Sequence, residues 1–493
     1  MTQTQSSEND LIKSFSEIGQ DQIFRFWKDL NQAEKQNLYK QLQEIDINEC
    51  ITAWEDTQAP KSKVKNIKAP KTVSCTDQDS FKKKQFFDQG ELVLEQNKVA
   101  AFTVAGGQGT RLGYNGPKGS LPCTSLRRAS LFQLFAENIK FFEKRFGRPI
   151  WWFVMTSEEN HEQTLTFFKK NRNFGLSKNN ILCIKQGMMP VFDLNGKILL
   201  SEKNKISMSP NGHGGSFKAL LDSGALKIME DEGIEYLSYF QVDNPLVYCL
   251  DPTFIGMHEW SRAEMSSKAV QKNSPDEKVG TFVNLSEKLQ VLEYSDIPPE
   301  LAQQKTRNGK MAYHLGNIAI HLINRNFVSR VTNATQTQTD RLPYHGALKK
   351  VQHIDDAGNK VSPKAPNAIK AETFVFDAIP LAQNASVFEI DRFEEFAPIK
   401  NASGNDSLET SQKIQQNRAK DWLKAAGFDA IPNQVEISPS YAPAKEYFLQ
   451  KSHKSSLDSV SIQNQQITFN ESGISIEDRK STRLNSSHLV ISY

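Results

Sequence analysis

The order of apolar and polar positions predicts three regimes along the chain. Over residues 1 to about 56 the apolar residues recur at helical spacing. Leu11, Phe15 and Ile18 share one face, Ile23, Phe24, Trp27 and Leu30 a second, and Leu38, Leu42 and Ile45 a third. This spacing predicts a small helical subdomain packed on the main body, with a partner-binding helix as the other reading. From Lys98 to about Asn405, short apolar runs alternate with helical patterns. Lys98–Val104 has the length and the β-branched and aromatic content of a buried strand. Ser130–Gly147 sets Leu131, Leu134, Phe135, Ile139 and Phe142 at helical spacing. Pro149–Thr156, Ile181–Lys185 and Tyr236–Val242 read as further strands, and Glu159–Asn171 as a helix. This alternation predicts an α/β fold around a largely parallel sheet. Ligands of such sheets gather at the carboxyl ends of the strands. After residue 405 the chain turns polar, and runs such as Val460-Ser-Ile-Gln and Ile467-Thr-Phe-Asn predict a helix followed by short strands.

Four segments follow: a helical N-terminal segment and linker (1–97), a catalytic α/β domain (98–405), a small C-terminal domain (406–479) and a tail (480–493). The tail fits nothing before it and resembles a translated sequencing adapter. It is read as non-native and set aside from the fold, with the natural C-terminus expected to be missing.

Composition narrows the function classes. Sixty Lys+Arg stand against 57 Asp+Glu, so charge alone calls for neither nucleic acid nor an anionic membrane. Lys61, Lys63, Lys65, Lys68 and Lys71 cluster with Pro60 and Pro70, but no aromatic residue interleaves them, which is linker chemistry. No apolar run approaches the ~18 residues of a membrane span, and the N-terminus lacks signal-peptide features. Five scattered cysteines without Cys-x-x-Cys argue against a disulfide framework or zinc site. The expectation is a soluble, cytoplasmic protein, monomer or homodimer.

The chemistry concentrates in loops after strands. Ala105-Gly-Gly-Gln-Gly-Thr-Arg-Leu-Gly113, followed by Pro117-Lys118-Gly119, leaves the first strand. Gly106, Gly107 and Gly109 let backbone N–H groups approach an anion and permit positive φ. Arg111 and Lys118 add two cations, which suits a polyphosphate. The spacing is neither that of a P-loop nor of a dinucleotide fingerprint. Gln186-Gly-Met-Met-Pro190 offers an amide suited to a pyrimidine edge, or a simple turn. Ser209-Pro-Asn-Gly-His-Gly-Gly215 is a second glycine-rich entrance to a helix. Asp243, after an apolar strand, suits a Mg²⁺ ligand completed by substrate phosphates. Lys370 and Lys400 stand among apolar residues, a costly setting for lysine unless it meets an anion.

Taken in order, these motifs resemble the UTP-dependent sugar-1-phosphate uridylyltransferases, and within them the UDP-N-acetylglucosamine pyrophosphorylases of the UDP-sugar pyrophosphorylase group. Further matching stretches are Met155-Thr-Ser157, Asn173-Phe-Gly-Leu176, Gly196-Lys-Ile198, Val242-Asp-Asn244, Gly316-Asn-Ile-Ala319, Asn367-Ala-Ile-Lys370 and Phe396-Ala-Pro-Ile-Lys-Asn401. The resemblance covers about residues 98 to 405. It implies a Rossmann-like nucleotidyltransferase core with a mixed, largely parallel sheet, a helical N-terminal segment and a small β-rich C-terminal domain. It also implies a reaction in which UTP and a sugar 1-phosphate give a UDP-sugar and pyrophosphate, with Mg²⁺ as cofactor. Carried over by residue, Gly106, Gly107 and Gly109 hold the nucleotide, and Gln186 and Gly212 read uracil. Arg111, Lys118, Lys370 and Lys400 meet the reacting phosphates, and Asp243 holds the metal. His213, Gly280, Glu293 and Asn317 hold the sugar. One departure is His213. The N-acetylglucosamine enzymes read Asp-Gly-Asn-Gly-Gly here, and Gly-His-Gly resembles the UDP-glucose enzymes. The remaining motifs favour N-acetylglucosamine 1-phosphate over glucose 1-phosphate. Two readings from other classes are a non-catalytic nucleotide-sugar binding protein and a glycosyltransferase. The latter's Asp-x-Asp occurs only as Asp77-Gln-Asp79, in the polar linker.

Overall fold

The computed structural model describes residues 3–60, 66–74, 80–333, 340–452, 465–471, 473–478 and 489–491. The run at Val460, Cys75, Asp77-Gln-Asp79, Lys61, Lys63, Lys65 and most of the tail lie outside them. The chain forms two compact units. One joins Asn66–Lys185, Leu220–Arg330 and Ala382–Tyr493; the other joins Met1–Lys65, Gln186–Ala219 and Val331–Leu381.

The larger unit is built on a mixed sheet of eleven strands. Its main strands are β1 (Val99–Val104), β2 (Trp152–Thr156), β3 (Ile181–Lys185), β4 (Tyr236–Gln241), β5 (Met265–Gln271), β6 (Leu315–Asn324) and β7 (Ala385–Glu389). The spatial order is β7-β5-β6-β4-β1-β2-β3, with Val73–Ser74 outside β7. Strands β3, β2, β1 and β4 run parallel. Strand β6 is antiparallel to both β4 and β5, and β7 is again parallel to β5. The expected largely parallel, mixed sheet is thus present. Strands β1 and β2 are buried along nearly their whole length, which explains why they read as unbroken apolar runs.

The helix Leu131–Phe146 starts where Ser130 accepts a hydrogen bond from Gln133 N–H and ends at Gly147, whose φ of 68° closes the last turn. Its apolar stripe is buried as the spacing predicts, and Phe135 meets Phe240 of β4 edge-on at 5.1 Å. Burying each such phenylalanine contributes roughly 1.5–3 kcal/mol.

The C-terminal region does not stand apart. Trp422, on the helix Leu408–Ala425, and Phe469 belong to the same core as Phe132 and Trp152. The small sheet runs Gln434–Ile437, Gln465–Asn470, Gly473–Asp478, Leu489–Ile491. Three tail residues, set aside at the sequence level, form its last strand.

In the smaller unit the helices Gln3–Glu17, Gln32–Gln43 and Ile47–Gln58 agree with the expected helical start. Their core is completed by distant parts of the chain. Phe15, Leu38, Leu42 and Ala53 pack with Phe192, Ile198, Leu200 and Ala371. Asp56 accepts two hydrogen bonds from Arg341, at 2.6 and 2.9 Å. Compactness therefore divides the chain differently from the linear scheme, because residues 186–219 and 331–381 complete the helices' apolar faces.

Candidate functional site

Strands β1 and β4 are parallel neighbours in register from Tyr236↔Val99 to Gln241↔Val104. The loops leaving their carboxyl ends therefore start side by side. Val242 N–H still bonds Val104 O at 3.1 Å, and Ala105 N–H bonds Met155 O at 2.7 Å. Beyond that point the 105–119 loop folds on itself. Gly109 N–H donates to Gly116 O at 2.9 Å and Lys118 N–H to Gly107 O at 3.1 Å. Among the described residues, the N–H groups of Gly106, Gly107 and Gln108 find no acceptor. Three successive unsatisfied N–H groups on an accessible turn make an anion cradle.

The glycines serve this loop differently from the sequence-level expectation. Positive φ occurs at Gly113 and Gly116, not at Gly106, Gly107 or Gly109. Gly109 is required by contact, since a Cβ there would stand 2.7 Å from the Tyr114 ring and 2.9 Å from Tyr114 O. At Gly107 a Cβ would meet only Lys118 Cδ, at 4.0 Å, so this glycine is open to the outside. Arg111 lies exposed on the single turn Thr110–Leu112.

Lys118 Nζ lies 3.8 Å from Asp243 Oδ2, and each side chain is only 15% exposed. Burial pulls the Lys118 ammonium below its ordinary pKa. Asp243 opposes that shift, and nearby Lys400 and Arg111 add to it. Four of the expected phosphate and metal residues are thus electrostatic neighbours. Lys400 arrives from more than 150 positions away through Asn244. The Asn244 carboxamide accepts from Ala397 N–H at 3.0 Å and donates to Glu395 O at 2.6 Å, while Ile399 N–H bonds Asp243 O at 2.9 Å. Beneath this seam sits a buried ion cluster. Lys268 Nζ is 2.7 Å from Asp251 and 2.5 Å from Glu395. Burial works against the charge on Lys268, but the two carboxylates hold its pKa above the usual value.

Three of the four expected sugar residues, Gly280, Glu293 and Asn317, also converge. Asn317 N–H donates to Gly280 O at 2.8 Å, and a Cβ on Gly280 would stand 3.4 Å from Glu293 Oε1. Strand β6 is irregular here: the register with β5 shifts between Ser267 and Ala269, and Ala319 has φ 55°. Asn317 Oδ1 accepts from Ala319 N–H at 3.0 Å and fixes the kink. Bulges of this kind re-aim side chains beside functional sites.

The other candidates belong to the smaller unit. Gln186 Nε2 donates to Gly212 O at 2.7 Å, so the two expected base readers are bonded to each other. Both flank a ribbon, Met188–Pro190 paired with Met208–Pro210. Gly212 has φ 81°, and a Cβ there would lie 2.3 Å from Thr373 O. His213 Nδ1 accepts from Val375 N–H at 3.1 Å, which leaves the proton on Nε2 in the neutral ring. The ring lies against Phe374 and Phe376, and burial pushes its pKa down to about 4. Lys370 is on the central strand (Ala368–Glu372) of a three-stranded sheet, paired with Ala347. Residues that sequence reading missed are Asn160, Thr373, Phe374 and Phe376. Thr373 Oγ1 donates to Asn211 O at 3.1 Å. The run of aromatics after Lys370 was the available signal for the last two.

Known proteins share this chain's sequence pattern and fold. Residues 48–461 match the family model described as UTP–glucose-1-phosphate uridylyltransferase. The UDP-N-acetylhexosamine pyrophosphorylase-like protein 1 of Xenopus tropicalis is 36% identical over 83% of this chain and 84% of its own length. The UDP-N-acetylglucosamine pyrophosphorylase of Saccharomyces cerevisiae is 32% identical over 88% of this chain and 95% of its own. A solved structure, the uridine diphosphate N-acetylglucosamine pyrophosphorylase of Trypanosoma brucei with an inhibitor, superposes with a TM-score of 0.78. It is 26% identical and covers 90% of this chain and 94% of that one. A relative above 30% identity that spans most of both chains, together with a family model matching well over half of this one, makes the assignment plain: the chain belongs to the UTP–glucose-1-phosphate uridylyltransferase family.

Proposed function

We propose that the protein transfers uridylyl from UTP to a sugar 1-phosphate, giving a UDP-sugar and pyrophosphate, with N-acetylglucosamine 1-phosphate as the favoured acceptor. The observation that carries this reading is the row of unsatisfied N–H groups at Gly106, Gly107 and Gln108 beside the Lys118–Asp243 pair. An oxygen of the sugar phosphate attacks the α-phosphorus in line, and the bond to the β-phosphate oxygen breaks. This chemistry needs positioning and charge neutralisation rather than a protein nucleophile. The loop N–H groups hold the triphosphate, Lys118 and Arg111 neutralise charge that builds on the leaving pyrophosphate, and Lys400 steadies the reacting phosphates.

A largely covered carboxylate in a cationic setting, Asp243, suits Mg²⁺, which takes one or two carboxylates and fills its remaining positions with phosphate oxygens and water. Among the described residues no group of three or more acidic, histidine or cysteine side chains forms a metal cage, so Asp243 is the residue that would hold it. When bound, Mg²⁺ supplies charge stabilisation to the phosphates. Gly280, Glu293 and Asn317 are assigned to the sugar. On the strength of the resemblance, Gln186 and Gly212 are assigned to uracil and Lys370 to the phosphates. His213 uses its acceptor nitrogen on Val375, so its loop-fastening role removes the objection to an N-acetylated sugar. The names of the relatives above favour the same acceptor.

No helix among the described residues is long and apolar enough to cross a membrane. The free thiols of Cys50, Cys123, Cys183 and Cys249 favour a reducing compartment such as the cytoplasm. Pyrophosphate release tests the activity. It should require UTP, a sugar 1-phosphate and Mg²⁺ together, and should collapse in Lys118→Ala. Release without the sugar phosphate would contradict it.

A further inference from the structure

We propose that Asn160 is the positioning residue that aims the phosphate loop at the nucleotide, an inference that rests on the uridylyl-transfer reading. Asn160 is fully buried at the start of the helix His161–Lys170, yet its side chain makes no capping bond to that helix. Its Oδ1 accepts from Ser157 N–H at 2.9 Å. Its Nδ2 donates to two carbonyls of the loop, Ala105 O at 2.9 Å and Gly107 O at 3.2 Å. One amide thus links the end of β2 to the turn that follows β1.

The consequence follows from peptide geometry. In a trans peptide the C=O of one residue and the N–H of the next point in opposite directions. Drawing the carbonyls of Ala105 and Gly107 towards buried Asn160 turns the N–H groups of Gly106 and Gln108 the other way. Those two N–H groups find no acceptor among the described residues, and Gly107 between them is exposed. Glycine resists peptide rotation poorly; Gly107 O is also held by Lys118 N–H at 3.1 Å, so the Ala105–Gly106 peptide is the one that depends most on the Asn160 tether. Without the Nδ2 donor, a rotated peptide would present a carbonyl oxygen, a partial negative charge, where an N–H should meet a phosphate. Asn160 touches no substrate itself; it acts through the loop.

Asn160→Asp isolates this role. Aspartate keeps the size and the acceptor for Ser157 N–H but replaces the donor with an anionic oxygen facing two carbonyls. Binding of UTP and of uridine to the full chain is measured by calorimetry, alongside thermal melting. The expected result is a loss of UTP affinity of about tenfold or more, with uridine affinity changed by less than about twofold. Unchanged UTP affinity, or equal losses for UTP and uridine, overturns the proposal. If Asn160→Asp does not fold, Asn160→Ser replaces it. Serine is well suited to a helix start but too short to reach both carbonyls, and the same pattern is expected. Wild-type protein that binds UTP but releases no pyrophosphate would remove the activity while leaving the UTP–uridine comparison to decide Asn160.

Discussion

Lys118 and Asp243, 125 positions apart in sequence, face each other at 3.8 Å across the ends of two adjacent parallel strands. In the proposed reaction one serves phosphate charge and the other a metal, and the ion pair brings the two side chains together. The pairing is possible because β1 and β4 are neighbours in register, so a loop from each starts at the same height.

Arg111 is exposed on its turn, so it adds little to the resting loop. Arg111→Ala should reduce turnover by at least about a hundredfold while weakening UTP binding by less than about tenfold, the pattern of an interaction made mainly in the transition state. Steady-state kinetics and direct UTP binding check this. Equal loss in both would assign Arg111 to ground-state binding.

Two loop glycines should separate stability from binding. Gly109→Ala drives a Cβ into Tyr114, backbone oxygen included, and should cost about 1–3 kcal/mol of stability. Gly107→Ala meets nothing closer than 4.0 Å, so its melting temperature should stay near the wild-type value while UTP affinity falls. A Gly107→Ala protein that binds UTP normally would remove the cradle from the account.

Lys268 is wholly buried between Asp251 and Glu395. Lys268→Met leaves two carboxylates without their cation and should destabilise by about 3–5 kcal/mol. Burial already raises the Glu395 pKa, so protonation relieves the repulsion, and the stability gap to wild type should narrow below about pH 6. Denaturant melts at pH 8 and pH 5.5 read both effects.

His213 stays neutral in the fold because burial pushes its pKa down from 6.5 to about 4. Below pH 6.5 the unfolded chain takes up a proton that the folded chain refuses, so stability falls as pH drops towards 4. The full window is worth at most about 3 kcal/mol. His213→Asn should flatten this slope, measured as the change in melting temperature between pH 7 and pH 5. An unchanged slope would mean that the imidazole titrates alike in both states.

The parallel half of the sheet was legible because β1, β2 and the middle of β4 are buried and stand as compact apolar runs; the partly exposed end strand Ile181–Lys185 keeps an apolar run and was read to the residue. The small sheets of 186–219 and 331–381 were not. Their strands are two to five residues long, and Ala368–Glu372 carries a lysine and a glutamate in its centre and end, so no period of two can emerge. The site showed the same division. Motifs revealed Lys118, Asp243 and Lys400 as types and included Asn244, but the bonds by which Asn244 joins the 243 and 395–399 segments appear only in the fold, and Asn160, which holds the 105–107 turn, carried no sequence signal of its own. The glycines were recognised, while their reasons lie in contacts with Tyr114 and Thr373 that only the fold brings near.

The most direct test is pyrophosphate release from UTP and Mg²⁺ with N-acetylglucosamine 1-phosphate and glucose 1-phosphate side by side. The account expects kcat/KM to favour the N-acetylated sugar by at least about tenfold, because His213 is committed to Val375 and the aromatic pair beside it. A preference for glucose 1-phosphate would contradict the assigned acceptor, and no release with either would contradict uridylyl transfer itself.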